Sequence, residues 1–275
     1  MSDEPLTIPS RAFLEELQNA AGEGLLRQFA FDDLTAELAW SCNPRSGLLT
    51  IAGLGEFQAE VIATWSAISQ TWRWVWDNEA AEIPREYQEA AMQAFGLGVK
   101  RVVPELFREQ FSTHDVDANS VALVTAVHSS GCFFRAVHDA GIAFLFVRNP
   151  SVEAVEICSN EELRSTLLRI VNDFPANHRS VAHGLLLGQG FNPRHESAAG
   201  SSFLRNAEKL TLDYDEYGRL KQMGVEGEST DRACDFQPVG LLIMLLGAKG
   251  QWVGCAIVSM FGYMKSLLTS AEALV

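Results

Sequence analysis

The chain has 275 residues, 47% of them hydrophobic and 20% charged, an ordinary globular composition with enough length to bury one large core or two modest ones. Its formal net charge of −14 and pI near 4.8 argue against a nucleic-acid binder, which needs a basic surface to displace counterions, and against docking on an anionic membrane. The cysteines (Cys42, Cys132, Cys158, Cys234 and Cys255) are odd in number and form no C-x-x-C pair, which with an acidic N-terminus and no apolar run long enough to span a bilayer predicts free thiols in a cytoplasmic protein.

In chain order, Ser10 is placed to cap a helix running to about Gln28, with Phe13, Leu14, Leu17, Ala21 and Leu25 at helical spacing. Alternation at Leu34, Ala36, Leu38 and Trp40 predicts a half-buried strand. Asn43 to Gly47 reads as a turn, Leu48 to Ala52 as a return strand, and Phe57, Ala59, Val61, Ala63 and Trp65 as one face of the next. Trp72, Trp74 and Trp76 then recur at two-residue spacing, so a strand would carry them as one aromatic stripe with Arg73, Val75 and Asp77 on its other face. A tight loop centred on Ser69 and Gln70 would pair Trp65 with Trp74 and Ala67 with Trp72.

Pro84 opens a helical pattern through Tyr87, Ala91, Ala94, Phe95, Gly98 and Val102, broken at Pro104. A shorter helix is expected over Ala118 to Val127, then two strands, Cys132 to Val137 and Ile142 to Val147, apolar on both faces and therefore central in a sheet. Asn149-Pro150-Ser151 is the best boundary between domains 1–150 and 151–275. Beyond it, Ser159 to Glu162 is a capping box opening a helix that stops at Pro175. A strand near Val181 to Leu187, a loop through Gly188, Gly190 and Pro193, and hairpins at Lys209–Val225, turning at Asp215 to Gly218, and Val239–Val258, turning at Ala248 to Gln251, follow. A final helix carries Phe261, Met264, Leu267 and Leu268. The fold class expected is α+β, with twisted, mainly antiparallel sheets packed on helices in two helix-plus-meander units.

The stretch Phe57-x-Ala59, Thr64-Trp65-Ser66, Thr71-Trp72-x-Trp74-x-Trp76-x-Asn78 and Ile83-Pro84 resembles an uncharacterised family of bacterial proteins. Its hallmark is a G-T-W-S … T-W-L-W-A-W-A-N block ahead of a helix ending in F-G. Ala63 stands here for the glycine, Val75 and Asp77 for alanines, and Ala94-Phe95-Gly96 fits the helix end. The resemblance covers about residues 57 to 147. It implies an α+β cytoplasmic protein and no reaction. Because some members sit among contact-dependent toxin systems, it also implies that an immunity protein is a reading to weigh.

Chemistry is sparse. The six histidines form no H-x-x-x-H, His195-Glu196 lacks the second histidine of a zincin, and no cysteine has metal-site spacing. Gly188-Gln189-Gly190 meets Pro193 where a dinucleotide fingerprint needs glycine. No bound zinc, nucleotide or flavin is therefore expected. A Cys132/His138 or Ser/His nucleophile would have to be assembled in space. Two binding surfaces remain. Trp65, Trp72, Trp74 and Trp76 could line a ligand pocket, against the plainer reading that they are core. Asp213, Asp215, Glu216, Glu226 and Glu228, within an acidic stretch reaching Asp235, could dock a basic partner. The expectation is a non-enzymatic interaction protein, such as an immunity protein masking a basic toxin; the alternative is a small-molecule binder with a pocket beside the tryptophans.

Overall fold

The computed structural model describes residues 9–114, 116–139, 141–148, 150–153, 157 and 159–226, together with the backbone of two strands at 242–246 and 252–257. The chain divides into two compact units, Met1–Thr230 and Asp231–Val275. The boundary expected at 149–151 lies inside the first unit. There residues 159–226 pack on the earlier ones through helices and share one hydrophobic core with them.

The first unit opens with α1, Arg11–Thr35, whose N-cap Ser10 accepts a hydrogen bond from Phe13 N–H. The expected strand across Leu34 to Trp40 is a correction: the helix runs on to Thr35, because Phe29 and Phe31 are buried. Strands β1 (Trp40–Asn43), β2 (Leu48–Ile51) and the twelve-residue β3 (Gly55–Ser66) follow as a meander. Next come β4 (Thr71–Trp74), three short 3-10 turns, α2 (Glu89–Arg101), the single turn α3 (Pro104–Phe107), β5 (Gln110–Ser112), α4 (Ala118–His128), β6 (Gly131–His138) and β7 (Gly141–Arg148). All of these strands join one seven-stranded antiparallel sheet in which β3 is the hub. Its start pairs with β2, its end with β4, and most of its length with β7, which pairs in turn with β6. Both β6 and β7 were expected to be central; β7 is, whereas β6 pairs with β7 alone among the described residues.

The free edge of β6 is closed by a side chain. Gln28 of α1 donates from Nε2 to the Phe133 carbonyl at 2.9 Å, and its Oε1 accepts from Phe133 N–H at 2.8 Å. A buried glutamine thus stands where a neighbouring strand would, satisfying groups that would otherwise be a pairing hazard. A second interior polar group holds α2: Glu60 of β3 accepts from Ala90 N–H at 2.8 Å and pairs with Arg148 at 2.6 Å. Gln88 supplies no side-chain cap there, so Glu60 serves one of the helix's orphan donors from across the core.

The tryptophan block departs from the expected stripe. The register is Trp65 opposite Trp72 and Ala63 opposite Trp74, two residues from the expected pairing. Gln70 in a left-handed conformation (φ 52°) closes the loop before Thr71, and the small Ala63 leaves room for the Trp74 indole. The strand ends at Trp74, and Val75–Asp77 turn in a 3-10 helix. Trp72 and Trp74 are fully buried, with ring centroids 5.3 Å apart at 80°. Trp76 stacks on Trp74 at 6.3 Å and meets Phe95 of α2 edge-on. The Trp74 indole N–H donates to the Glu105 carbonyl at 3.2 Å.

After β7, the capping box at Ser159 and Glu162 opens α5, Asn160–Asp173. The segment expected as a strand is helix α6, His178–Gly188. A short apolar run reads equally well as buried strand or buried helix; packing against α1 decides it. A Cβ at Gly184 would fall 2.1 Å from the Gln18 carbonyl oxygen, and one at Gly188 2.4 Å from that of Gly22. The two glycines, four apart on one helix face, let the backbones touch. Strands β8 (Asn192–Glu196), β9 (Gly200–Arg205), β10 (Glu208–Tyr214) and β11 (Leu220–Glu226) then form a four-stranded antiparallel meander. The turn at Asp215 to Gly218 falls where expected, with Gly218 at φ 76°. In the second unit, β12 (Leu242–Leu246) pairs antiparallel with β13 (Trp252–Ile257). The final helix, the turn at 248–251 and residues 228, 231 and 235 lie outside the described residues.

Candidate functional site

The two faces of the large sheet are used differently. Trp72, Trp74, Phe133 and Phe144 crowd one face. On the other, Val61 and Thr64 of β3, Ala143 and Leu145 of β7, and Ala136 and His138 of β6 form the floor of a cleft. Cross-strand pairing puts these residues side by side: Thr64 lies opposite Ala143, which lies opposite Ala136, and Val61 lies opposite Leu145. Trp40, Cys42 and Pro44 wall it on one side, and Val75, Asn78, Ala81 and Ile83 from the 3-10 turns on the other. The cavity measures about 280 Å³.

Local sequence explains why the cleft stays open. Ala136, Ala143 and Ala81 present only methyl groups, and the turn to 3-10 geometry after Trp74 carries Val75 and Asn78 away from the floor as a wall. Trp40 holds its place by an edge contact with Phe134 at 5.6 Å and keeps 39% of its surface exposed. The cleft is apolar apart from a few groups. The side chains of Thr64 and Asn78 make no hydrogen bond among the described residues, so both are available to a ligand. Burial raises the Cys42 thiol above its usual value, leaving it a neutral, weakly nucleophilic wall group.

A second cavity, about 250 Å³, lies beside Trp65 and is lined by Thr113, Asp117, Asn119 and Phe144 among others. Most of its polar groups are committed within the fold, Asn172 alone of them making no side-chain hydrogen bond among the described residues. Trp65 N–H donates to Thr113 Oγ1 at 2.8 Å, Thr113 donates to the Gln70 carbonyl, and Asn119 donates to the Asp173 carbonyl. Asp117 caps α4 and accepts from Ser120 and from Asn177, with burial raising its carboxyl. Of the four tryptophans expected to line a pocket, Trp65 alone borders either cavity, whereas Trp72 and Trp74 are core.

The acidic residues expected as one docking rim are not brought together. Asp215 and Glu216 lie at the β10–β11 turn, while Glu226 is opposite Lys209 at the far end of the hairpin, on the order of 20 Å away along the strands. Two of the charges are already neutralised: Asp215 pairs with Arg219 at 2.7 Å and Glu226 with Lys209 at 2.9 Å. Asp213 and Glu216 are exposed, and residue 228 lies outside the described residues.

Nucleophile candidates resolve differently. Cys132 and His138 stand at opposite ends of β6, and burial pushes the Cys132 thiol up to about 11. Spacing could not reveal a Ser/His contact that does form: His183 Nε2 lies 2.8 Å from Ser201 Oγ, with Glu196 Oε1 3.7 Å from His183 Nδ1. Both members are buried where α6 meets the meander, and burial lowers His183 to about 4. With its charged form disfavoured by burial and Glu196 beyond hydrogen-bond distance, this imidazole serves in the fold as an interior hydrogen-bond partner of Ser201.

Residues 15–150 match a family of unknown function, DUF6882. Every residue lining the apolar cleft, from Trp40 to Leu145, falls within that span. The uncharacterised domain expected from the tryptophan block is thus present, and it begins upstream of the block in α1. No curated protein and no solved structure matches the chain. Among the described residues no three His, Cys, Asp or Glu side chains cluster as a metal site, and no helix is long and apolar enough to cross a membrane.

Proposed function

We propose that the chain is a non-catalytic, cytosolic binding protein that takes a small, largely apolar ligand in the cleft between β1, β3, β7 and the Val75–Ile83 turns. One observation carries the reading. Thr64, Asn78 and Ile83, three residues of the block through which the sequence resembles its family, converge on that cleft although they are up to nineteen positions apart in the chain. Binding sites are commonly apolar clefts with a few placed polar groups. Here Thr64 offers a hydroxyl and Asn78 both an acceptor and donors, a set suited to an amide, hydroxyl or carbonyl on an otherwise apolar molecule. At about 280 Å³ the cleft holds the volume of roughly nine waters, so the ligand, or the inserted part of it, is small.

The test is titration with an uncharged apolar fluorophore, read by Trp40 quenching and by protection of Cys42 from alkylation. Saturable binding that Ala143→Phe abolishes supports the reading. Binding unaffected by Ala143→Phe, in a variant that still folds, removes it.

A second reading, an immunity-type protein masking a basic toxin, is favoured by the net charge of −14. Its docking surface would use Asp213 and Glu216, the rim acids without an ion pair among the described residues. Charge steering then requires association with a basic partner to slow as salt rises.

A further inference from the structure

We infer that the outward face of α2 is a self-association surface that takes α2 of a second copy of this chain in antiparallel orientation. Ala90, Ala91, Ala94, Leu97 and Gly98 of this helix are buried. Opposite them, where lysine or glutamate is normal, lie Met92, Gly96 and Val99, and Val102 follows at the helix end. Met92 is 48%, Val99 56% and Val102 70% exposed. Spacings of four and three residues align Met92, Gly96 and Val99 in one stripe.

Gly96 is the informative residue. Glycine is disfavoured inside a helix unless something approaches its backbone. At Gly98, Gly184 and Gly188 a neighbour does so, whereas a Cβ at Gly96 would meet nothing within 4 Å among the described residues. The described residues therefore supply no reason for this glycine, and a helix laid across it would.

The charges choose the occupant. The helix is acidic at its start, with Glu86 and Glu89, and basic at its end, with Lys100 and Arg101; Glu89 also meets Arg148 at 3.0 Å and Arg101 meets Glu16 at 2.7 Å, exposed pairs that a second copy would share or exchange. Two antiparallel copies crossing at Gly96 set each basic end beside the other's acidic start, and their helix dipoles oppose favourably. Residues 85–101 hold three basic and two acidic side chains in a chain of net charge −14, so two copies meeting here do not bring acidic surfaces together. A contact of thirteen residues, about 20 Å of helix, is small for an interface, so the dimer forms at high concentration and dissociates on dilution.

Sedimentation velocity on the full chain across a concentration series decides it. The expected result is a reversible monomer–dimer equilibrium. Gly96→Leu should weaken it about tenfold or more, the loss of one close helix contact, while circular dichroism shows the fold retained. Independently of that variant, Lys100→Glu should weaken the dimer, and adding Gln93→Lys to the same chain should restore it, since antiparallel crossing sets residue 93 of one copy beside residue 100 of the other. A protein monomeric at every concentration, including one whose α2 is covered by another part of its own chain, overturns the inference. So does a dimer indifferent to the charge exchange.

Discussion

At the scale of single residues, stability rests on a few large or polar groups whose removal has distinct consequences. Trp74 contacts two further indoles and donates its N–H to Glu105, so Trp74→Ala should cost on the order of 3–5 kcal/mol in a denaturant melt. Gln28→Leu keeps the volume but strands the Phe133 N–H and carbonyl; each buried orphan costs about 1–3 kcal/mol, so a loss of roughly 3 kcal/mol is expected where a shape argument alone gives none. Ionisation works in two directions. Burial lowers His183 to about 4, so its contribution is present above the unfolded value of 6.5 and is lost as pH falls toward 4. Burial, set against Arg135, Gln28 and Arg169, raises Asp32 to about 6, so its stabilising contribution is present below 3.8 and lost as pH rises to 6. Each amounts to roughly 1.4 kcal/mol per pH unit within its window. Across pH 4 to 6 the two oppose each other. His183→Gln should therefore gain stability as pH falls through that range and Asp32→Asn should lose it, both read from chemical melts at pH 4, 5 and 6. Parallel profiles for the two variants would contradict the assignment.

At the scale of elements, the helix pair α1–α6 is the seam that joins the two halves of the chain. A side chain at Gly184 would meet the Gln18 carbonyl oxygen at 2.1 Å, a backbone atom that cannot yield cheaply. Gly184→Ala should destabilise by several kcal/mol, more than ordinary overpacking of about 1–3 kcal/mol, and Gly190→Ala should cost less, about 1–2 kcal/mol for a side chain at its φ of 78°, because its Cβ would meet nothing within 4 Å. The same seam marks where sequence legibility ended. Local signals were readable: the Ser10 cap, the Ser159–Glu162 box, the Asp215–Gly218 turn and the β6–β7 hairpin all lie where their residues indicated. The α6 run was not, because a helix buried nearly all round has no amphipathic period, and its glycine pair has meaning only once α1 is alongside. The Trp65–Trp72 register was hidden for a similar reason. A loop centred on Ser69 and Gln70 and the observed one, residues 67–70, centred one residue earlier, look alike in sequence, and the choice depends on Gln70 adopting positive φ and on the space opposite Ala63.

At the scale of the whole molecule, the tryptophan block serves two roles on two faces of one sheet. Trp72 and Trp74 fill the core, whereas Thr64, Asn78 and Ile83 leave it for the cleft. The sequence drew attention to the aromatic stripe, and the candidate site lies on the reverse side. It could not be read beforehand because a strand period assigns faces without saying which face is covered, and the 3-10 turn that raises Asn78 into a wall breaks that period. The acidic rim fared similarly: adjacency in sequence suggested one patch, but hairpin pairing separates Asp215 from Glu226 and gives each a basic partner. What remains is a cleft with two polar side chains unengaged among the described residues, inside the span shared with the family. The measurement that tests this most directly is a fragment screen by amide chemical-shift perturbation on the full chain. The account predicts that small uncharged fragments with one amide or hydroxyl shift a single cluster of resonances, those of Trp40, Thr64, Asn78 and Ala143, and lose that effect in Ala143→Phe. Perturbations that bypass this cluster, or fragments that bind the Ala143→Phe variant equally well, would contradict it.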